Sequence, residues 1–184
     1  SFMWMRHDAH NLYVALLHEL NPDQTPRPKP PGSTSWWRNV DMAEIILEGP
    51  YGRNAPAWWP KDKKHGPLFY LVGDCAGQLG SYSVADLPKS RAEGLRGAVL
   101  YAAKAQPGSW TGEWKIPLAA IYLDPAKTTS CCFNVGVFKP GTTPPPGSKE
   151  PVSANDQWAV WRGANGANWK VWNAGLLHLG KQKE

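Results

Sequence analysis

Short stretches of apolar and polar residues alternate along this chain, and most of them read as strands. Ser1–Arg6 and Leu12–Leu17 are apolar-rich and flank His7-Asp-Ala-His-Asn11, a spacing that predicts a hairpin turn. Met42–Leu47, Leu68–Val72, Ala98–Ala103 and Thr111–Ile116 predict further strands, as do Cys131–Phe138, Gln157–Trp161 and Leu176–Leu179. One helical turn is expected at Pro117–Ile121, opened by a proline in its first position. Two proline-rich stretches, Asn21–Ser35 and Lys139–Pro151, are too polar and too poor in backbone donors for a sheet interior. They read as long surface loops within a single domain spanning residues 1–184, because neither flanking piece has a core of its own. The expected fold is all-β: an antiparallel two-sheet β-sandwich, jelly-roll-like, with one short helix.

Composition agrees and adds a question. Gly and Pro number 18 each, which excludes a helical bundle and suits short strands joined by turns. Trp contributes 11 residues against 6 Tyr and 4 Phe, more than packing a domain of this size requires. The formal net charge is +5 and is not gathered into a run, since Lys61-Asp-Lys-Lys-His65 is interrupted by an acid. No nucleic-acid partner is expected from so mild an excess, and no membrane partner, because no apolar run approaches ~18 residues. No signal peptide is visible at Ser1, so an export signal would stand outside these residues. Cys75, Cys131 and Cys132 are odd in number, and neighbours on a strand point to opposite faces, so they read as buried free thiols.

Enzyme motifs do not assemble. Glu44, Glu48, Asp41, Asp74, Asp86 and Glu113 form no defensible carboxylate pair, and no nucleophile elbow, phosphate loop or dinucleotide fingerprint occurs. His7 and His10 around Asp8 read as polar turn residues rather than metal ligands. The tryptophans say more. Trp36-Trp37 closes the first proline-rich loop, Trp58-Trp59 lies between prolines, and Trp161 and Trp169 bracket a loop rich in asparagine. Indoles in loops beside amides suit the apolar face of a sugar ring. For Trp58 and Trp59 a packed loop is the competing expectation; Trp4, Trp110, Trp114 and Trp158 sit on or beside strands and read as core or sheet surface.

The order of segments resembles the family 9 carbohydrate-binding modules. Asn11-Leu-Tyr-Val-Ala15 after a turn with Asp8, then Asp41-Met-Ala-Glu-Ile-Ile-Leu47, is similar to that family's opening. Gly112-Glu-Trp-Lys-Ile-Pro-Leu118, Phe133-Asn-Val-Gly-Val137 and the ending from Trp161 through Trp169 to Gly175-Leu-Leu-His-Leu179 follow in the family's order over residues 4–179. The resemblance implies an antiparallel β-sandwich that clamps a terminal sugar between two indoles, here Trp37 (with Trp36 as the fallback) and Trp169. It implies Glu44 as the acceptor of sugar hydroxyls, with Asn165 and Asn168 near the place of a ligand-binding asparagine. Two positions depart from the pattern: Tyr70 stands where the family has an arginine and Gly136 where it has a glutamine.

The expected function is therefore a non-catalytic carbohydrate-binding module that targets a larger secreted or periplasmic protein, through linked catalytic or other domains, to polysaccharide. No cofactor is expected; calcium follows from the resemblance alone, with Asp23, Asp41, Asp74 and Asp86 as loop acids. The alternative is an interaction or structural domain of the same sandwich without a sugar site. A haem-binding variant would need an axial pair, for which Met3, Met5, Met42 and the five histidines are available.

Overall fold

The computed structural model describes residues 1–33, 39–84, 87–128, 130–141, 157–161 and 175–180. In chain order the strands are β1 (Phe2–His7), β2 (Asn11–Glu19), β3 (Met42–Glu48), β4 (Leu68–Asp74) and β5 (Leu79–Tyr82). They continue with β6 (Leu100–Gln106), β7 (Ser109–Pro117), β8 (Ser130–Lys139), β9 (Gln157–Val160) and β10 (Gly175–His178). One α-helix, α1 (Lys89–Ala98), precedes β6. A four-stranded sheet runs β1-β2-β7-β6, and a second runs β10-β8-β3-β4-β5 with β9 on β8; all pairings are antiparallel. This is the all-β sandwich the alternation predicts.

The predicted hairpin closes at the expected turn. β1 and β2 pair from Phe2 opposite Leu17 to His7 opposite Leu12. Asp8 holds the turn: its Oδ1 accepts the N–H groups of His10 and Asn11, each at 2.7 Å, and its Oδ2 accepts the Tyr13 hydroxyl at 2.8 Å. These donors pull the Asp8 carboxyl down to about 2, the His10 N–H foremost. The acid between the two histidines is thus committed to the turn.

Period-2 alternation decides what each sheet buries. Leu12, Val14 and Leu16 of β2 and Trp110, Trp114 and Ile116 of β7 point inward to meet Ile45, Leu47, Phe69, Leu71 and Phe133 of the other sheet. Trp110 and Trp114 are core residues, as their strand positions predict. The other face of the six-stranded sheet is buried too. Val40, Met42, Ile46, Leu68, Tyr70, Val72 and Phe138 form a second cluster there. A sheet buried on both faces loses the apolar-polar alternation, which is why β3 and β4 read as nearly continuous apolar runs.

Two elements differ from the sequence reading. The turn expected at Pro117–Ile121 is a 3-10 turn over Leu118–Ile121, while the α-helix lies at Lys89–Ala98, so the strand expected over Ala98–Ala103 is shifted to Leu100–Gln106. Only Ala92 and Leu95 of α1 are buried, one helical turn apart, so its apolar stripe is too thin to announce a helix. β5 also went unread, because Leu-Gly-Ser-Tyr has neither length nor alternation.

Candidate functional site

Glu44 sits in the middle of β3, opposite Val72 on one side and Gly136 on the other. It therefore points to the outer face of the six-stranded sheet, among residues that are otherwise apolar or aromatic, and it is 0% exposed. Tyr70 shares that face two residues before Val72, opposite Ile46 and Tyr82. Its hydroxyl donates to the Glu44 carboxylate. The Tyr70 and Tyr82 rings meet edge to face at 5.6 Å.

The electrostatics of the pair follow from burial. Removal from water, then the negative charge of Glu44 and the hydrogen bond to it, hold Tyr70 well above the ordinary tyrosine range. Burial, then the charge of Glu44, raises Tyr82 in the same sense. Both phenols stay protonated at neutral pH and remain donors. Asn134, also fully buried, lies opposite Ile46 and accepts the Val135 N–H at its Oδ1.

Tyr70 and Gly136, where this chain departs from the family pattern, both border Glu44. The fold thus brings together three positions that sequence order leaves far apart, and it supplies a phenol where the pattern has a guanidinium. Tyr82 was missed because its strand was missed; Asn134 stood in the Phe133-Asn-Val segment without an assigned role.

Trp36, Trp37, Asn165, Asn168 and Trp169 lie outside the described residues, as does the side chain of Trp158. The residues that flank them are informative. Residues 162–174 stand between Trp161 and Gly175, and both of these border β8: the Trp161 N–H donates to Val135 O at 3.0 Å, and Gly175 lies opposite Phe133. β8 is the strand next to Glu44. The Trp161 ring, 45% exposed, packs edge to face on Phe133 at 5.8 Å.

The two proline-rich loops meet at the start of β3. Arg27 of the first donates to Asn39 Oδ1 at 2.9 Å and, through Nη2, to the carbonyls of Pro140 and Gly141 at the start of the second. Its N–H donates to Asp41 Oδ2 at 2.7 Å. Asn39 adopts a left-handed backbone (φ 60°) just after residues 34–38, which hold Trp36 and Trp37.

The remaining candidates fall into structural roles. Asp74 Oδ1 accepts from the backbone of Ala76 and Gln78, and its Oδ2 from Lys29 N–H and Gln78 Nε2, so its carboxylate closes the turn after β4. Among the described residues no three His, Cys, Asp or Glu side chains gather as a metal site. Met3 and Met5 pack toward the space between the sheets and Met42 into the outer cluster, so they share no pocket for haem. Trp58 and Trp59 form a packed loop: Trp59 is buried and donates Nε1–H to His65 O, while Trp58 meets Tyr122 edge to face at 5.7 Å beneath the Arg91 guanidinium. Cys75, Cys131 and Cys132 are free thiols, each pushed up to about 12, by burial first.

No protein-family model matches this chain, and no curated protein matches it in sequence. Among solved structures it is similar to a carbohydrate binding module family 9 from Caldicellulosiruptor kristjanssonii in complex with glucose, at 14% identity and a TM-score of 0.48. That likeness covers 74% of this chain and 58% of the other. It is also similar to such a module from the same organism in complex with cellotriose, at 16% identity and a TM-score of 0.46, covering 73% of this chain and 55% of that one. The chain spans less than two thirds of either structure.

Proposed function

We propose that this chain is a non-catalytic carbohydrate-binding module that seats a sugar against the outer face of its six-stranded sheet. The observation that carries this reading is the Glu44–Tyr70 pair, a carboxylate and a phenol on a face whose other residues are mostly apolar, one strand from where Trp161 and Gly175 border β8. A carboxylate accepts sugar hydroxyls and a phenol both donates and accepts. Trp37, with Trp36 as its alternative, and Trp169 stack on the two faces of the ring, and Asn165 and Asn168 complete the polar rim. Stacking of nucleobases on aromatic side chains contributes on the order of 1–3 kcal/mol per ring, and a sugar, less polarisable, gains less, so affinity is modest. The biological effect is proximity: a linked catalytic domain, in a secreted or periplasmic protein, is concentrated at its polysaccharide.

The test is calorimetric titration with glucose and cellotriose, the sugars held by the two similar modules, on the wild type and on Trp37→Ala, Trp169→Ala and Glu44→Gln. Binding in the wild type that is lost in these variants supports the reading. Unchanged affinity in all three removes it.

A second reading is an interaction or structural domain of the same fold, and the complete burial of Glu44 favours it. A sugar reaches that carboxylate only if the residues over it move. A wild-type chain that binds no mono- or oligosaccharide selects this reading.

A further inference from the structure

The Glu44 carboxylate faces two phenols, and they are not held alike. The strand registers put Tyr82, Tyr70 and Ile46 in one row across the outer face of the six-stranded sheet, and Gly80, Val72, Glu44 and Gly136 in the next. From β5 to β8 the Glu44 row therefore carries two side chains between two glycines. Tyr70 reaches in from the neighbouring row, and its hydroxyl donates to Glu44. Tyr82 backs Tyr70, ring against ring at 5.6 Å and 74°. The negative charge of Glu44 is felt at the Tyr82 phenol as well.

Tyr70 is 2% exposed and sits inside the sheet, on a strand paired with β3 on one side and β5 on the other. Tyr82 is half-buried and is the last residue of β5, the four-residue strand that ends the sheet. A short edge strand opens locally at lower cost than a central one, because fewer backbone bonds and fewer apolar contacts hold it. Tyr70 leaves Glu44 only when the ring behind it gives way. That ring belongs to the less firmly held strand.

We propose that Tyr70 and Tyr82 form a gate over the sugar site: without ligand the Tyr70 hydroxyl occupies Glu44, and a sugar enters when Tyr82 swings outward and Tyr70 turns off the carboxylate. This rests on the sugar-binding reading above and supplies the regulation of that site. A phenol O–H and a sugar O–H are the same kind of donor to a carboxylate, so exchanging one for the other costs little in hydrogen bonding. The cost is the opening itself, which lowers the apparent affinity by the fraction of molecules that stand open. Weakening the closed arrangement therefore speeds sugar entry, the reverse of what losing a ligand contact does.

The test is stopped-flow tryptophan fluorescence with cellotriose, alongside calorimetry, on the wild type, Tyr70→Phe, Tyr82→Ala and Trp37→Ala. Tyr70→Phe removes the bond to Glu44, and Tyr82→Ala removes the ring behind it. Each is expected to raise the association rate by ~10-fold. Tyr82→Ala does so with an unchanged dissociation rate, so its affinity rises by the same factor, and adding Glu44→Gln cancels the gain. Thermal unfolding verifies each fold, and the half-buried Tyr82 keeps the test readable should the buried position not tolerate change. Cellotriose binding in a tyrosine variant but not in the wild type also supports the gate, as a site held shut. Wild-type binding that Trp37→Ala abolishes, with no faster association in either tyrosine variant, overturns the gate and leaves the sugar reading standing. Absence of binding in the wild type and in both tyrosine variants overturns that reading, and the gate with it.

Discussion

The Tyr70 hydroxyl donates to the Glu44 carboxylate on a sheet face where both side chains are buried. A buried carboxylate deprived of a donor keeps its full desolvation cost, whereas an amide in its place still accepts from the phenol. Tyr70→Phe is therefore expected to destabilise the fold by about 1–3 kcal/mol, and Glu44→Gln by clearly less. Urea unfolding midpoints of the two single variants and the double variant measure this as a coupling energy. A Tyr70→Phe variant as stable as the wild type would show that the pair holds nothing together.

The same pair shows how far the chain could be read in advance. Glu44 was legible because β3 places it at a fixed position in a recognisable pattern. That Tyr70 and Gly136 border it was not, since their contact depends on registers between β3, β4 and β8 that no local signal sets. The strands were legible wherever apolar residues ran long enough, and Trp110 and Trp114 fell into the core because they alternate on β7. β5 and α1 were not, for opposite reasons: β5 is four residues long, and α1 hides a two-residue apolar stripe among Lys, Arg and Gly. Trp4 shows the limit of the residue type itself. Its strand was correctly read, yet the outward phase leaves a large indole in solvent, and only the pairing of β1 with β2 fixes that phase.

Helix α1 carries two glycines, and neither is required by its surroundings. A Cβ added at Gly94 or Gly97 meets nothing within 4 Å. Gly94 lies in the exposed interior of the helix, where glycine costs backbone entropy on folding. Gly94→Ala is expected to raise stability by about 0.5–1 kcal/mol, read as a higher unfolding midpoint with an unchanged denaturant slope. Sugar binding beside Glu44 should not respond. A destabilised Gly94→Ala variant would contradict the open placement of this helix face.

His18 gives the fold a pH dependence with a definite sign. It is 7% exposed, its Nδ1 lies 2.5 Å from Ser1 Oγ, and its ring meets Trp110 edge to face. Burial above all, aided by neighbouring positive charge including Lys139, lowers it from 6.5 to about 4. In the unfolded chain the imidazole protonates near 6.5, while in the folded chain it stays neutral down to about 4, so the unfolded state binds more protons across that window. Stability is expected to be full above pH 6.5 and to decline as pH falls toward 4, by up to ~3 kcal/mol. Asp8 acts in the same direction but lower, between about 3.8 and about 2, so the two windows are separable. Unfolding midpoints at pH 7, 6, 5 and 4 for the wild type and His18→Gln test this. An equal slope in both would assign the decline to other groups.

Gly175 links the sheet to the segment that carries Trp169. A Cβ at this position would collide with two ring atoms of Trp161 and crowd a third, so the close approach of that indole to the first residue of β10 exists because the side chain there is hydrogen. Trp161 and Gly175 are the described residues on either side of residues 162–174, and both are anchored to β8, at Val135 and Phe133. Gly175→Ala forces either the indole off Phe133 or β10 off β8. Overpacking of this kind costs about 1–3 kcal/mol. If residues 162–174 form one wall of a sugar site beside Glu44, the same substitution also weakens cellotriose binding, because it shifts both ends of that wall. Tryptophan fluorescence and calorimetry on one sample read the two effects together. A variant with a displaced Trp161 signal and wild-type sugar affinity would separate the segment from the site, leaving Glu44 and Tyr70 to bind without it.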